Sequence, residues 1–341
     1  MWYNNLLKRD LIPEFLIRNR IRKLNQDRLL EITAKNPEAQ AEYLKNFLKK
    51  LHESAIAVET AAANDQHYEL PPEFFELCLG PHKKYSCAYY DGNHSLEKAE
   101  ANMLQLYVER AKITNGQEIL ELGCGWGSLT LYIAEQFPQS NIIGVSNSHS
   151  QREYINREIQ KRNLKNIRIQ TADVNQVSFQ QETFDRVVSI EMLEHIRNYK
   201  EMFEKISSWL KVDGLFFNHI FTHKDKPYLF EVRDESDWMS KYFFTGGVMP
   251  SNDLFLRFQD NLKLEDQWLV SGENYQKTSE DWLKNLKSNK EKAKQLLKEV
   301  YGNDYSLWYV YWKIFYMAVA ELFGTKNGKE WMVSHYLFSK R

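Results

Sequence analysis

Residues 189–199 read SIEMLEHIRNY, which places Glu191, Glu194 and His195 in one short stretch. Two carboxylates and an imidazole can hold a cation and take a proton from it near neutral pH. Glu191 and Glu194 are three positions apart, so they share one side if the segment is helical. Acids also suit the start of a solvated helix, which they stabilise through its dipole. A second signal is ELGCGWG at 121–127. Glycines let backbone approach a ligand closely and turn tightly into a helix. The spacing is Gly-x-Gly-x-Gly, with Ser128 where a dinucleotide-binding loop has its last glycine. Such a loop also needs a ribose-binding acid ~20 residues on, and residues 145–147 are Val-Ser-Asn. Hydride transfer is therefore disfavoured. Cys124, inside the loop, has no CxxC partner or neighbouring histidine and reads as a small packing residue. His82, His149 and His335 lack metal-ligand spacing, so no metal is expected.

These groups need a frame. EILEL (118–122), NIIGVS (141–146), IRIQTADV (167–174), FDRVVSI (184–190) and GLFFNHIF (214–221) read as strands. Between them SLTLYIAEQF (128–137), SQREYINREIQKRN (150–163) and NYKEMFEKISSWL (198–210) read as helices, the last with Asn198 as its N-cap. This alternation predicts an α/β fold with a parallel sheet and helices on both faces. Ligands of such sheets bind beyond the carboxyl ends of the strands, where the glycine loop and the Glu-His motif both fall. Residues 1–60 read as a helical arm, with Leu44, Phe47, Leu48 and Leu51 on one helical face. Residues 225–290 are aromatic and charged, and 281–323 read as helical.

Composition excludes several classes. Of 341 residues, 45 are Lys or Arg and 46 Asp or Glu, so no net charge draws the chain to nucleic acid. Three cysteines cannot form a disulfide framework, which predicts a reducing, cytoplasmic setting. The longest apolar run, 309–323, is broken by Lys313 and Glu321 and is short of a membrane span. The arm holds eleven Lys/Arg against six Asp/Glu over residues 1–52. It reads as a covering layer, or alternatively as an interfacial helix in peripheral contact with anionic lipid. The oligomeric state is open between monomer and homodimer.

QHYELPPEFFELCLG (66–80), KYSCAYY (84–90), ILELGCGWGSLTLYIAE (119–135), GVSNSHSQREYI (144–155), SIEMLEHIRNY (189–199), YFFTGGVMPS (242–251), FQDNLKLEDQWLVSGENY (258–275), YWKIFYMAVAELFG (311–324) and EWMVSHYLF (330–338) together resemble the class I S-adenosylmethionine-dependent methyltransferases. Within these the chain is similar to the cyclopropane-fatty-acid synthase superfamily, and there to its coclaurine N-methyltransferase-like group. The resemblance runs from about residue 60 to the end. It implies a Rossmann-like core at 116–222, an N-terminal helical arm at 1–60, a helical cap at 61–115 and a substrate lid with closing strands at 223–341. It also implies S-adenosyl-L-methionine as cofactor. Tyr85 and Ser86 would lie near its methionine part, and Gly123 and Gly125 against its body. Asn147 and Gln151, neutral amides one helical turn apart, would take the ribose hydroxyls. Asp173 and Val174 would read the adenine, and Ile190 would pack beneath it.

By the same resemblance Glu194 and His195 would accept the proton of an amine, and Glu191 would bind its cationic form. Tyr68, Tyr311, Trp312 and Phe315 would line the amine pocket, where aromatic faces suit a cation. The rival is cyclopropanation or C-methylation of unsaturated phospholipid chains. Enzymes of that kind hold bicarbonate as base, at positions that here are Cys87, Glu194 and His219. They carry glycine where this chain has Glu191, and a carboxylate there favours a small amine over an acyl chain. A third reading, a non-catalytic lipid-surface relative, is opposed by the intact glycine loop and Glu-His pair.

Overall fold

The computed structural model describes residues 4–58, 70–92, 95–234 and 237–341. The short apolar runs at the centre of the chain form its sheet. Strands β1 (Glu118–Leu122), β2 (Asn141–Ser146), β3 (Ile167–Thr171), β4 (Phe184–Ile190) and β5 (Leu210–His223) pair in parallel, in the order β3-β2-β1-β4-β5. The pairs β6 (Tyr228–Leu229) and β7 (Val248–Met249) make a separate two-stranded ribbon. Strand β9 (Trp331–Lys340) enters antiparallel between β5 and β8 (Leu262–Val270) and completes a seven-stranded sheet. The segment after residue 222 thus shares the sheet of the central core. The strand order reverses between β1 and β4, and a crevice opens past their carboxyl ends.

Successive side chains of a strand point to opposite faces. On β5 this sends Phe217 and His219 toward the helix Leu96–Arg110, where Tyr107 meets both rings. It sends Phe216 toward the helix Tyr199–Trp209 and Phe203. Both faces are covered, so the inner strands can be apolar throughout.

Asn198 caps the helix Tyr199–Trp209 by accepting from Glu201 N (3.1 Å), as the sequence predicts. The helix His149–Lys161 is capped by Ser148, whose hydroxyl accepts from Gln151 N. Strand β3 stops at Thr171, short of the predicted Val174, because Asp173 folds into a turn and accepts from Asn175 N (2.8 Å). The helical stretch predicted over 281–323 resolves into Gly272–Ser288, Lys290–Tyr301 and Tyr305–Phe323. Its earlier start is set by Ser271, which accepts from Glu273 N.

The arm contains the helices Glu14–Ile32 and Pro37–His52. Arg18 ties the first to Glu280 (2.6 Å) and Glu321 (2.9 Å), and Lys313 reaches Asp10 (2.8 Å). After the second helix, Asn198 Nδ2 donates to Ser54 O (3.1 Å). Among the described residues no helix is long and apolar enough to cross a membrane.

Candidate active site

Glu191 is the first residue beyond β4, and its backbone is left-handed (φ 46°), a conformation uncommon outside glycine. Its N–H donates to His219 O on β5 (2.9 Å). Only then does a short 3₁₀ turn form over Leu193–His195. Glu191 and Glu194 therefore do not share a helical side, because Glu191 lies outside the helix and its backbone has the opposite hand.

The left-handed residue turns its carboxylate into a nest of donors. Cys87 N donates to Oε1 (2.9 Å), and Tyr275 Oη donates to Oε2 (2.6 Å). His219 Nε2 stands 3.0 Å from Oε1. Burial raises the Glu191 carboxyl above its usual range, opposed by Lys84, by the Cys87 N–H and by Tyr275. Glu194 is 2% exposed, and its Oε2 has no hydrogen-bond partner. Burial first, and the Glu191 charge second, push it well above the carboxylate range. Two neighbouring buried carboxylates do not both ionise readily. The donors converge on Glu191, so of the two it is Glu194 whose protonated form is favoured.

His195 stacks on Phe244, with centroids 5.0 Å apart and planes at 22°. Burial lowers its imidazole to about 4 against the pull of the Glu191 charge, so the ring is neutral at pH 7. Cys87 acts through its backbone, since burial raises its thiol.

Two clefts meet at this carboxylate. The first, with an empty volume of about 790 Å³, is lined by Gly123, Gly125, Asn147, Gln151, Asp173, Val174, Glu191, Met192 and His195. The second, about 490 Å³, is lined by Lys84, Tyr85, Ser86, Glu121, Gly123, Gly125, Trp126, Gln151, Ile190 and Glu191. Gly123, Gly125, Gln151 and Glu191 belong to both, so the clefts are two ends of one channel over the glycine loop. All nine residues that the sequence reading gives to the cofactor line this channel, as do Glu191 and His195; Glu194 is not among them.

The channel suits a ligand with hydroxyls and a charged tail. Ser146 Oγ donates to Gln151 Oε1 (2.6 Å), which leaves the buried Nε2 without a partner in the channel wall. Gly125 (φ 52°) has no atom within 4 Å of where a Cβ would stand, so any side chain there would enter the channel. Gly123 (φ 79°) differs, because its Cβ would meet the Met192 side chain at 2.6 Å. Lys84 is buried, and its Nζ donates to Ser86 Oγ and to Cys87 O. Burial lowers this ammonium to about 8. Glu121, bonded by the Thr130 hydroxyl, is raised by burial to about 7.

Four aromatic residues are expected around the amine. Tyr68 falls outside the described residues. Tyr311, Trp312 and Phe315 are buried on the helix Tyr305–Phe323 and do not line the channel. Phe315 stacks on Phe243 (4.5 Å), and Trp312 meets Phe74, Phe75 and Phe243. Several contributors escape the sequence reading. Tyr275 and Lys84 sit in motifs shared with the family, but nothing in their spacing points to Glu191. Ala57 and Val58, from the end of the arm, line the first cleft. Asn175 holds them there, donating to Ala57 O (3.2 Å) and accepting from Ala57 N (3.0 Å).

The seven-stranded sheet, covered on both faces and with antiparallel β9 inserted between β5 and β8, matches the fold of the class I S-adenosyl-L-methionine-dependent methyltransferases. The description "Mycolic acid cyclopropane synthetase" belongs to the family model that matches residues 57–323, and the chain belongs to that family. It is 38% identical to an (S)-coclaurine N-methyltransferase of Thalictrum flavum subsp. glaucum, over 98% of this chain and 94% of the relative. A crystal structure of coclaurine N-methyltransferase bound to N-methylheliamine and SAH superposes with a TM-score of 0.94 at 37% identity, covering 99% of this chain and 98% of that one. A cyclopropane-fatty-acyl-phospholipid synthase of Escherichia coli strain K12 is 28% identical over 64% of this chain and 54% of its own length. The chain is an S-adenosyl-L-methionine-dependent methyltransferase.

Proposed function

We propose that the protein methylates the nitrogen of a small amine. The observation that carries this reading is the position of the Glu191 carboxylate. The rival lipid reaction needs an exogenous anion at Cys87 and His219. Here the Cys87 N–H and the His219 imidazole both meet Glu191 Oε1, so the protein's own carboxylate fills that place. A fixed anion at the channel suits a substrate that arrives as a cation.

The cofactor supplies an electrophilic methyl group on a sulfonium. Asn147, Gln151, Asp173 and Val174 would hold its nucleoside end, and Tyr85, Ser86 and Lys84 its amino-acid end. The chain's own residues then have two tasks. An aliphatic amine with a pKa near that of lysine (about 10.4) arrives protonated and has no lone pair. The Glu191 carboxylate offers about four acceptor sites, three of which face Cys87 N, Tyr275 Oη and His219 Nε2. A remaining site can orient the ammonium. The neutral His195 ring, stacked on Phe244, hydrogen-bonds the amine N–H and relays its proton to water, since an imidazolium lowered to about 4 does not retain it. The buried cysteines, including Cys78 with its thiol raised to about 12, suit a reducing cytoplasm.

The test uses purified protein, methyl-labelled S-adenosyl-L-methionine, a panel of secondary and tertiary amines, and unsaturated phospholipid vesicles in parallel. Label on an amine nitrogen is the expected result. Label in an acyl chain alone would overturn the reading.

A further inference from the structure

A line of side chains runs from Glu191 away from the channel. His219 Nε2 is 3.0 Å from Glu191 Oε1. His335 Nε2 is 2.8 Å from His219 Nδ1, and Arg110 Nη1 is 2.7 Å from His335 Nδ1. The two histidines are register partners on β5 and β9, and both are fully buried. Arg110 ends the helix Leu96–Arg110, and its guanidinium lies 5.1 Å over the Trp268 ring.

The direction of every bond in this line follows from its outer end. A guanidinium has donors and no acceptor, so His335 Nδ1 must accept. Burial, with Arg110 and Lys84 nearby, keeps both imidazoles neutral, with one N–H each. The His335 proton is therefore on Nε2, and it is donated to His219 Nδ1. The His219 proton is in turn on Nε2, and it is donated to Glu191. Tyr107 Oη, 2.9 Å from His219 Nδ1, shares the same lone pair and favours the same tautomer.

We propose that Arg110 and His335 are positioning residues for the methyl transfer, fixing His219 as a donor and so keeping Glu191 ionised and aimed. The link to catalysis rests on the amine reading above; the tautomers do not. Remove the obligate donor, and both histidines can carry their proton on Nδ1. His219 Nε2 and Glu191 Oε1 would then face each other as two acceptors, a conflict relieved by protonating Glu191. The other groups facing Glu191 are Lys84 and Cys87, Tyr275 on the helix Gly272–Ser288, and Glu194 and His195 on the turn after β4. Lys84 also faces His335, alongside Tyr107 and Arg110. Of all these, Arg110 is the one obligate donor on the imidazole pair, while Tyr107 and the ionised Glu191 favour the same tautomers.

The experiment compares the full chain with Arg110→Met and Arg110→Lys, each labelled with ¹⁵N-histidine. Long-range ¹H–¹⁵N spectra read the tautomers without substrate or turnover. The expected result is Nε2–H at His219 and His335 in the parent and in Arg110→Lys, and a mixture that includes Nδ1–H in Arg110→Met. With an amine that turns over, Arg110→Met should raise the acidic limb of kcat/KM by about one pH unit and raise KM about tenfold. Arg110→Lys should restore both. If Arg110→Met does not fold, Arg110→Leu replaces it, since it too offers no donor to His335 Nδ1. Parental tautomers in the Met or Leu variant would overturn the proposal, as would an unmoved pH profile. Absence of any amine turnover would overturn only the amine reading, since the spectra still decide the relay.

Discussion

Glu191 is held in a left-handed conformation that costs an ordinary side chain roughly 1–2 kcal/mol. Glycine would adopt it freely, and the chain uses a carboxylate instead. The compensation is visible in the donors from Cys87, Tyr275 and His219 that meet its two oxygens. Glu191→Gly relieves that strain but leaves three buried donors without their anion, so it should fold with a small net loss of stability. Each charge-assisted bond contributes roughly 1.5–3 kcal/mol, so kcat/KM for a cationic amine should fall about 10- to 100-fold. Added formate, a carboxylate without a tether, should restore part of it by occupying the vacated donors. Formate without effect on Glu191→Gly would show that these donors do not form an anion site. Glu194 plays a different part. It is buried beside Glu191 with its protonated form favoured, so Glu194→Gln copies that form and should retain more activity than Glu194→Ala. Equal losses in the two variants would assign Glu194 an ionised role.

At the scale of elements, the site is assembled by segments that meet only in the folded chain. Strands β1 to β4, their alternation with helices and the residues at their carboxyl ends are legible in the sequence, because each is a local pattern of apolar period and punctuation. The channel-lining positions of Asn147, Gln151 and Asp173 follow from that local pattern plus family likeness. What local pattern does not carry is long-range pairing. His335 meets His219 only because β9 enters antiparallel beside β5, and no spacing in the chain announces that register. Tyr275 reaches Glu191 from a helix that starts far downstream. The predicted helical sharing of Glu191 and Glu194 fails for a related reason, since nothing in the residue type signals a left-handed glutamate. The arm gives a further instance. Its last described residues, Ala57 and Val58, line the first cleft and are tied down through Asn175. Asn175→Ala removes two hydrogen bonds of about 1 kcal/mol each. It should weaken S-adenosylhomocysteine binding up to about tenfold by calorimetry, with little change in the melting temperature. Unchanged affinity would detach the arm from the cofactor site.

Across the whole molecule, the unusual number of buried ionisable groups should govern stability against pH. Burial lowers His82, His195, His219, His223 and His335 from an ordinary 6.5. The unfolded chain binds more protons at these five sites below pH 6.5, so they make stability fall as pH falls. Burial also raises Glu100 and Glu121 to about 7, and Glu191 and Glu194 by burial in the same direction, from an ordinary 4.5. These four sites bind more protons in the native state above pH 4.5, so they make stability fall as pH rises. Between pH 4.5 and 6.5 the two sets oppose each other almost group for group, and the stability curve should be nearly flat. From 6.5 toward 8 the histidine contribution has ended and the carboxyl contribution persists, at about 1.4 kcal/mol per pH unit for each proton still held. Above 8, Lys84 begins to oppose it, because its ammonium, lowered to about 8, is lost earlier in the folded chain than in the unfolded one. Below 4.5 only the histidines and the salt-bridged acids such as Glu14 and Asp185 remain, and stability should drop again. Urea unfolding of the cofactor-free protein from pH 4 to 8 should therefore place its maximum between 4.5 and 6.5. Stability that climbs steadily from pH 5.5 to 8 would mean that the carboxyls are ionised in the folded protein, and that Glu194 holds no proton beside Glu191.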